Sequence, residues 1–155
     1  MTLEKDINQH KFRNEYQKSA INLIYTYHWL TEKINRIFDE AGITSQQFNI
    51  LRILRGAGKP LSTLQIRQRM LDKMSDTSRI VDRLVTKGLL KKNVCKTDRR
   101  LVDVIITAKG KKLLEKIDVY NDQMDSILMS LTESEAKTLN DLLDKLRNPP
   151  FHESL

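Results

Sequence analysis

Two short runs hold most of the residues whose types and spacing suggest chemistry: SDTSRIVDR at residues 75–83 and CKTDRRLVDVIIT at residues 95–107. The first places Ser75, Asp76, Thr77 and Ser78 where a helix would begin, with Arg79 and Arg83 one turn apart behind them. Small hydroxyls let a backbone approach a polyanion closely, and the free N–H groups of a helix start face phosphate favourably. Arginine bonds the guanine edge through two donors in the major groove. No Glu or Gln stands three residues after Ser75, where a carboxylate would repel a polyanion. The second run puts Lys96, Asp98, Arg99 and Arg100 in a polar turn between two strand-like segments. Paired guanidinium groups at an exposed tip suit the strong negative potential of a narrow minor groove. Asp98, two residues before Arg100, could fix it by a salt bridge; the plainer reading is a surface ion pair worth about 0–1 kcal/mol.

Other chemistry finds little footing. The histidines, His10, His28 and His152, are scattered. There is no His-Glu-x-x-His, no glycine loop to cradle phosphate and no Gly-x-Ser-x-Gly elbow. No catalytic residue, metal ligand or cofactor is expected, and the chain does not read as an enzyme. The single cysteine, Cys95, excludes an internal disulfide framework. Lys91, Lys92 and Lys96 would favour its thiolate, so a redox-responsive regulator using Cys95 stands beside an incidental thiol.

Charge is segregated along the chain. Ile50 to Lys112 holds 17 Lys and Arg against 5 Asp and Glu, a net of +12; the remainder holds 10 against 15, a net of −5. Solubility does not need that segregation. A surface that attracts phosphate and releases its counterions does. The stacking aromatics of single-strand RNA recognition are missing from the basic centre. A composition of 30% charged and 39% hydrophobic residues fits a folded domain. The first twenty residues are polar and charged, and no apolar run reaches the ~20 residues of a membrane span. The expectation is a cytoplasmic protein with no membrane partner.

The elements that must position these residues are mostly helical. Tyr16, Ala20, Leu23, Tyr27, Leu30, Ile34 and Ile37 recur at steps of three and four, predicting one long helix that Gly42 ends. Thr44 with Gln47 and Ser62 with Gln65 have capping-box spacing, opening two short helices separated by GAGKP. Leu64, Ile66 and Met70 would pack the second of these. A turn at 71–74 leads to a further helix, about Ser75 to Lys87, capped by Gly88. LLKKNV and LVDVIIT then form a hairpin. Thr107 caps a long helix over 108–131, and Thr132 with Glu135 opens the last. The predicted fold is mainly α with a small β-hairpin: a winged helix-turn-helix over 44–107, within a single domain of residues 1–155.

ITSQQFNILRIL, TSRIVDRLVTKGLL and DRRLVDVIITAKGKKLL resemble the successive signatures of the MarR family of winged-helix transcription regulators, and the resemblance spans almost the whole chain. Gln65-Ile66 departs from the leucine-alanine pair common there. The resemblance implies a homodimer joined by helices over 7–40 and 108–148, binding double-stranded DNA at a palindromic operator as a repressor. It implies that Arg100 reaches the minor groove, that Asp98 orients it, and that Ser75, Thr77, Ser78 and Arg79 contact bases or phosphates. Arg83 would add to the phosphate field or pair with Asp82. The long apolar stripes of the terminal helices suit a dimer independently. Relatives often bind small aromatic or phenolic effectors; Tyr25, Tyr27, His28, Trp29 and Phe48 are the residues that could line such a cleft, though core or interface packing is the plainer account of them. A winged helix used as a protein-interaction module remains the alternative.

Overall fold

The computed structural model describes residues 2–94 and 102–148. The chain divides into two compact units, Met1–Val119 and Tyr120–Leu155.

In the first unit the N-terminal segment is two helices rather than one. A short α1 (Leu3–Asp6) precedes α2 (Glu15–Glu40). Asn8 adopts a left-handed φ of 52°, and Asn14 caps α2 by accepting from the Gln17 N–H at 2.9 Å. These asparagines interrupt the helix expected from residue 7, because their side chains offer the backbone a competing partner. Lys18 pairs with Glu4 at 2.5 Å and ties α1 back onto α2.

Helix α3 (Ser45–Ala57) is the centre of the lobe, and its capping box forms as read: the Gln47 N–H donates to Thr44 Oγ1 at 3.1 Å, and the Thr44 N–H to Gln47 Oε1 at 3.2 Å. Its Ile50, Leu51 and Leu54 are buried against α4 (Thr63–Arg69), α5 (Thr77–Thr86), α6 (Ala108–Asp118) and strand β3 (Val102–Ile106). Ser62 and Gln65 complete the second box. Ile66 is fully buried, so the Gln65-Ile66 departure leaves the first turn of α4 capped and packed. Leu64, expected in the core, is instead exposed.

The hairpin pairs β2 (Leu90–Val94) with β3 in antiparallel register from Leu90↔Ile106 to Val94↔Val102. A further strand, β1 (Leu61–Ser62), adds to the other edge through Leu61↔Val104, giving the order β1-β3-β2. Gly88, at φ 73°, makes the turn from α5 into the hairpin. Helix α4, the turn and α5, followed by the hairpin, make a winged helix-turn-helix in a mainly helical chain.

Thr107 links wing and helix. Its hydroxyl accepts from the Gly110 N–H at 3.1 Å and donates to the Gly88 carbonyl at 2.8 Å. A Cβ at residue 110 would lie 2.4 Å from the Leu89 carbonyl oxygen and 2.9 Å from Ile106 Cγ1, so only glycine fits this crossing. At the far end of α6, Arg55 grips Asp118 through two bonds of 2.6 and 3.0 Å.

The single helix expected over 108–131 is broken. Helix α6 ends at Asp118, and in the second unit α7 (Asn121–Ser126) and turns precede α8 (Glu133–Arg147). Asp118, Val119, Tyr120, Asn121 and Asp122 are consecutive weak helix formers, enough to interrupt the run. The third capping box forms at Thr132 and Glu135, and Leu139, Leu142 and Leu146 of α8 are exposed.

Candidate nucleic-acid interface

Helix α5 is strongly two-faced. Val81 and Leu84 are fully buried, while Ser78, Arg79, Asp82 and Arg83 are exposed. Arg79 and Arg83 stand at i and i+4, so their side chains rise from one face. Asp82 makes an ion pair with Lys92 of β2, tying the helix to the wing. It therefore does not neutralise Arg83, the pairing that the sequence left open.

The start of α5 differs from the reading of its sequence. Asp76, not Ser75, is the N-cap, and its carboxylate accepts from the Arg79 N–H at 3.2 Å. Ser75 is half-buried and donates its hydroxyl to the Asp72 carbonyl at 2.8 Å. Thr77, expected on the exposed side, is only 3% exposed and its hydroxyl has no hydrogen-bond partner among the described residues. Thr77 stands four residues before Val81 and seven before Leu84 and so shares their buried face. Of the hydroxyls proposed there, Ser78 is the exposed one.

Several residues that sequence reasoning missed set the aim of this helix. Asn49, buried on α3, accepts from the Leu71 N–H at 2.9 Å. Asp72 accepts from the Met74 N–H at 2.9 Å, and Gln46 Nε2 donates to its other oxygen at 3.4 Å. Together they fix the turn between α4 and α5. Asn49 was visible as the amide beside Ile50 in an otherwise apolar face, and Asp72 as an Asx-turn residue ahead of Met74. Arg67, Thr63, Leu64 and Met74 join residues 75–78 around a cleft of about 490 Å³ between α4 and the start of α5. Met74 is 94% exposed at its rim.

A sequence model of the MarR family matches residues 41–101, from the end of α2 to the wing. Over that span the chain is similar to the MarR family. Among curated MarR-family relatives, the HTH-type transcriptional regulator MhqR of Bacillus subtilis is 29% identical over 141 residues, covering 87% of this chain and 94% of its own. The MarR-family fold is shared with a cysteine-to-serine mutant of E. coli MarR, solved with operator DNA, at TM-score 0.77 and 24% identity over 88% of this chain and 99% of that one. It is shared too with Bordetella bronchiseptica BpsR, whose DNA binding is regulated by 6-hydroxynicotinic acid, at TM-score 0.76 and 22% identity over 90% and 99%.

In this chain the wing strands run to Val94 and from Val102. Cys95, Lys96, Asp98, Arg99 and Arg100 lie outside the described residues. The proposed effector residues are not gathered in the protomer. Tyr25, Tyr27, His28 and Trp29 are exposed on α2, and Lys33 covers the Trp29 ring with its ammonium 5.2 Å from the centroid. Phe48 instead stacks on Phe38 with centroids 4.5 Å apart. Phe38 is thirteen residues along α2 from Tyr25, roughly 20 Å by helical rise. One protomer therefore does not bring the five around a single cleft. Among the described residues, no helix is long and apolar enough to cross a membrane.

Proposed function

We propose that this protein is a MarR-family repressor that binds a palindromic operator as a homodimer. The observation that carries the reading is α5 itself. An arginine-bearing face is left free, while Asp82–Lys92, Asn49–Leu71 and the buried Val81 and Leu84 hold the helix from behind. A helix presented in this way suits the major groove, with Ser78, Arg79 and Arg83 toward bases and phosphates. Arg100, oriented by Asp98, enters the adjacent minor groove, and Lys96 and Arg99 add phosphate contacts.

Dimerisation is supported by what the protomer leaves uncovered. Tyr16 is 86% exposed and Tyr27 62%, and Leu142 and Leu146 of α8 are exposed as well. Apolar exposure of this extent on long helices marks an association surface. A symmetric pair presents two reading helices about one DNA turn, ~34 Å, apart. Regulation of BpsR by a small molecule supports release by an effector here also.

The test is fluorescence anisotropy on operator DNA across a salt series. Arg79→Ala and Arg100→Ala each weaken binding at least about tenfold with the fold intact, matching ~1–3 kcal/mol per bidentate contact. The parent loses affinity steeply with salt. Variants that bind like the parent would overturn the reading and favour a protein-interaction module, for which exposed Leu71 and Met74 are the natural contacts.

A further inference from the structure

Helix α5 opens on a carboxylate, the group least suited to meet a polyanion. Asp76 is exposed and lines the cleft of about 490 Å³ between α4 and the start of α5. Its Oδ1 accepts the Arg79 N–H at 3.2 Å, which is the cap. Among the described residues its other oxygen has no hydrogen-bond partner and the side chain makes no ion pair, although Arg67 lines the same cleft.

Capping alone does not call for the charge. Serine and asparagine cap about as well as aspartate and carry none. On a surface that receives phosphates, a fixed negative charge lowers affinity for every duplex alike. What such a group adds is discrimination: it favours a base that offers a donor and repels one that offers acceptors.

Its neighbours narrow the choice of base. In the major groove cytosine offers its N4 amine, and aspartate accepts from it. Adenine also offers an amine, but it stands between two acceptors, its own N7 and O4 of the paired thymine, which repel a carboxylate. Beside its amine, cytosine carries an apolar C5 edge. Met74, 94% exposed, lines the cleft two residues before Asp76 and supplies an apolar group for that edge. Thr77 lines the cleft as well, only 3% exposed, with a hydroxyl that has no hydrogen-bond partner among the described residues. Buried polar atoms are normally matched, so this one points to a partner from outside the chain.

We infer that Asp76 selects a C·G base pair in each operator half-site, its free oxygen accepting from cytosine N4 while Met74 covers the C5 edge. The paired guanine then presents O6 to the Thr77 hydroxyl through a water. The inference rests on the DNA-binding reading above and adds to it the identity of one base pair.

The experiment is selection of bound duplexes from a random pool by the full chain and by Asp76→Asn, with Asp76→Ser as a second capping variant. The parent is expected to enrich cytosine at one position of each half-site. Asparagine bonds adenine through N6 and N7, so Asp76→Asn is expected to enrich the same site with adenine in place of that cytosine, and Asp76→Ser the same site with no preference there. Exchanging that C·G pair for T·A weakens the parent about tenfold in anisotropy, and Asp76→Ser about twofold or less. Both variants bind a scrambled duplex more tightly than the parent at low salt. Thermal unfolding of Asp76→Asn matches the parent, because the cap is kept. Identical base preferences in all three proteins would mean that Asp76 only caps the helix; that result sinks the inference and leaves the DNA reading intact. A parent that enriched no site would sink both.

Discussion

Asn49 Oδ1 accepts the backbone N–H of Leu71 at 2.9 Å, joining the central helix of the lobe to the turn that precedes the reading helix. The bond ties the core to the turn ahead of α5, the helix proposed to read DNA. Asn49→Ala is therefore expected to cost about 1–3 kcal/mol, the penalty for a polar partner left unmet, and to weaken operator binding as well. Thr44→Ala removes a cap of about 1 kcal/mol at the start of α3, five residues before Asn49, without touching the turn. Urea unfolding and anisotropy on both variants separate the effects. Equal operator affinity in the two would show that the turn does not depend on Asn49.

Gly110→Ala tests the crossing of α6 over the wing. The added carbon would meet the Leu89 carbonyl oxygen at 2.4 Å, a backbone atom that cannot rotate away. Overpacking of this kind costs about 1–3 kcal/mol or more. Thermal unfolding is expected to fall accordingly, and a variant as stable as the parent would mean that α6 shifts freely on the hairpin.

Glu135 provides a pH dependence with a defined sign. The Thr132 backbone N–H, and then its hydroxyl, hold the Glu135 carboxyl below its usual 4.5. A carboxyl lowered in the folded state contributes stability above its unfolded value and loses it as pH falls through the folded value. Helicity at the start of α8 is thus expected to be constant above pH 4.5 and to decline below it. In Glu135→Gln that acid-side decline, followed by amide exchange of residues 133–136, should be absent.

Short-range signals in the sequence carried much of this fold. The three boxes at Thr44, Ser62 and Thr132 form because cap and partner are three residues apart and need nothing from the rest of the chain. The hairpin and the turn glycines Gly42 and Gly88 were readable for the same reason. What escaped was non-local or competitive. Strand β1 is two residues long and exists only because β3 pairs with it. Asp76 rather than Ser75 caps α5, and Thr77 shares the buried face of Val81 and Leu84. Arg79 and Arg83 were legible as a surface pair because i and i+4 spacing fixes their common face.

Selection of bound duplexes from a random pool tests the symmetric reading of DNA most directly. The expected result is an enriched palindrome whose half-site centres lie about one helical turn, ~34 Å, apart. A pool with no enriched sequence, or with a single unpaired motif, would contradict it.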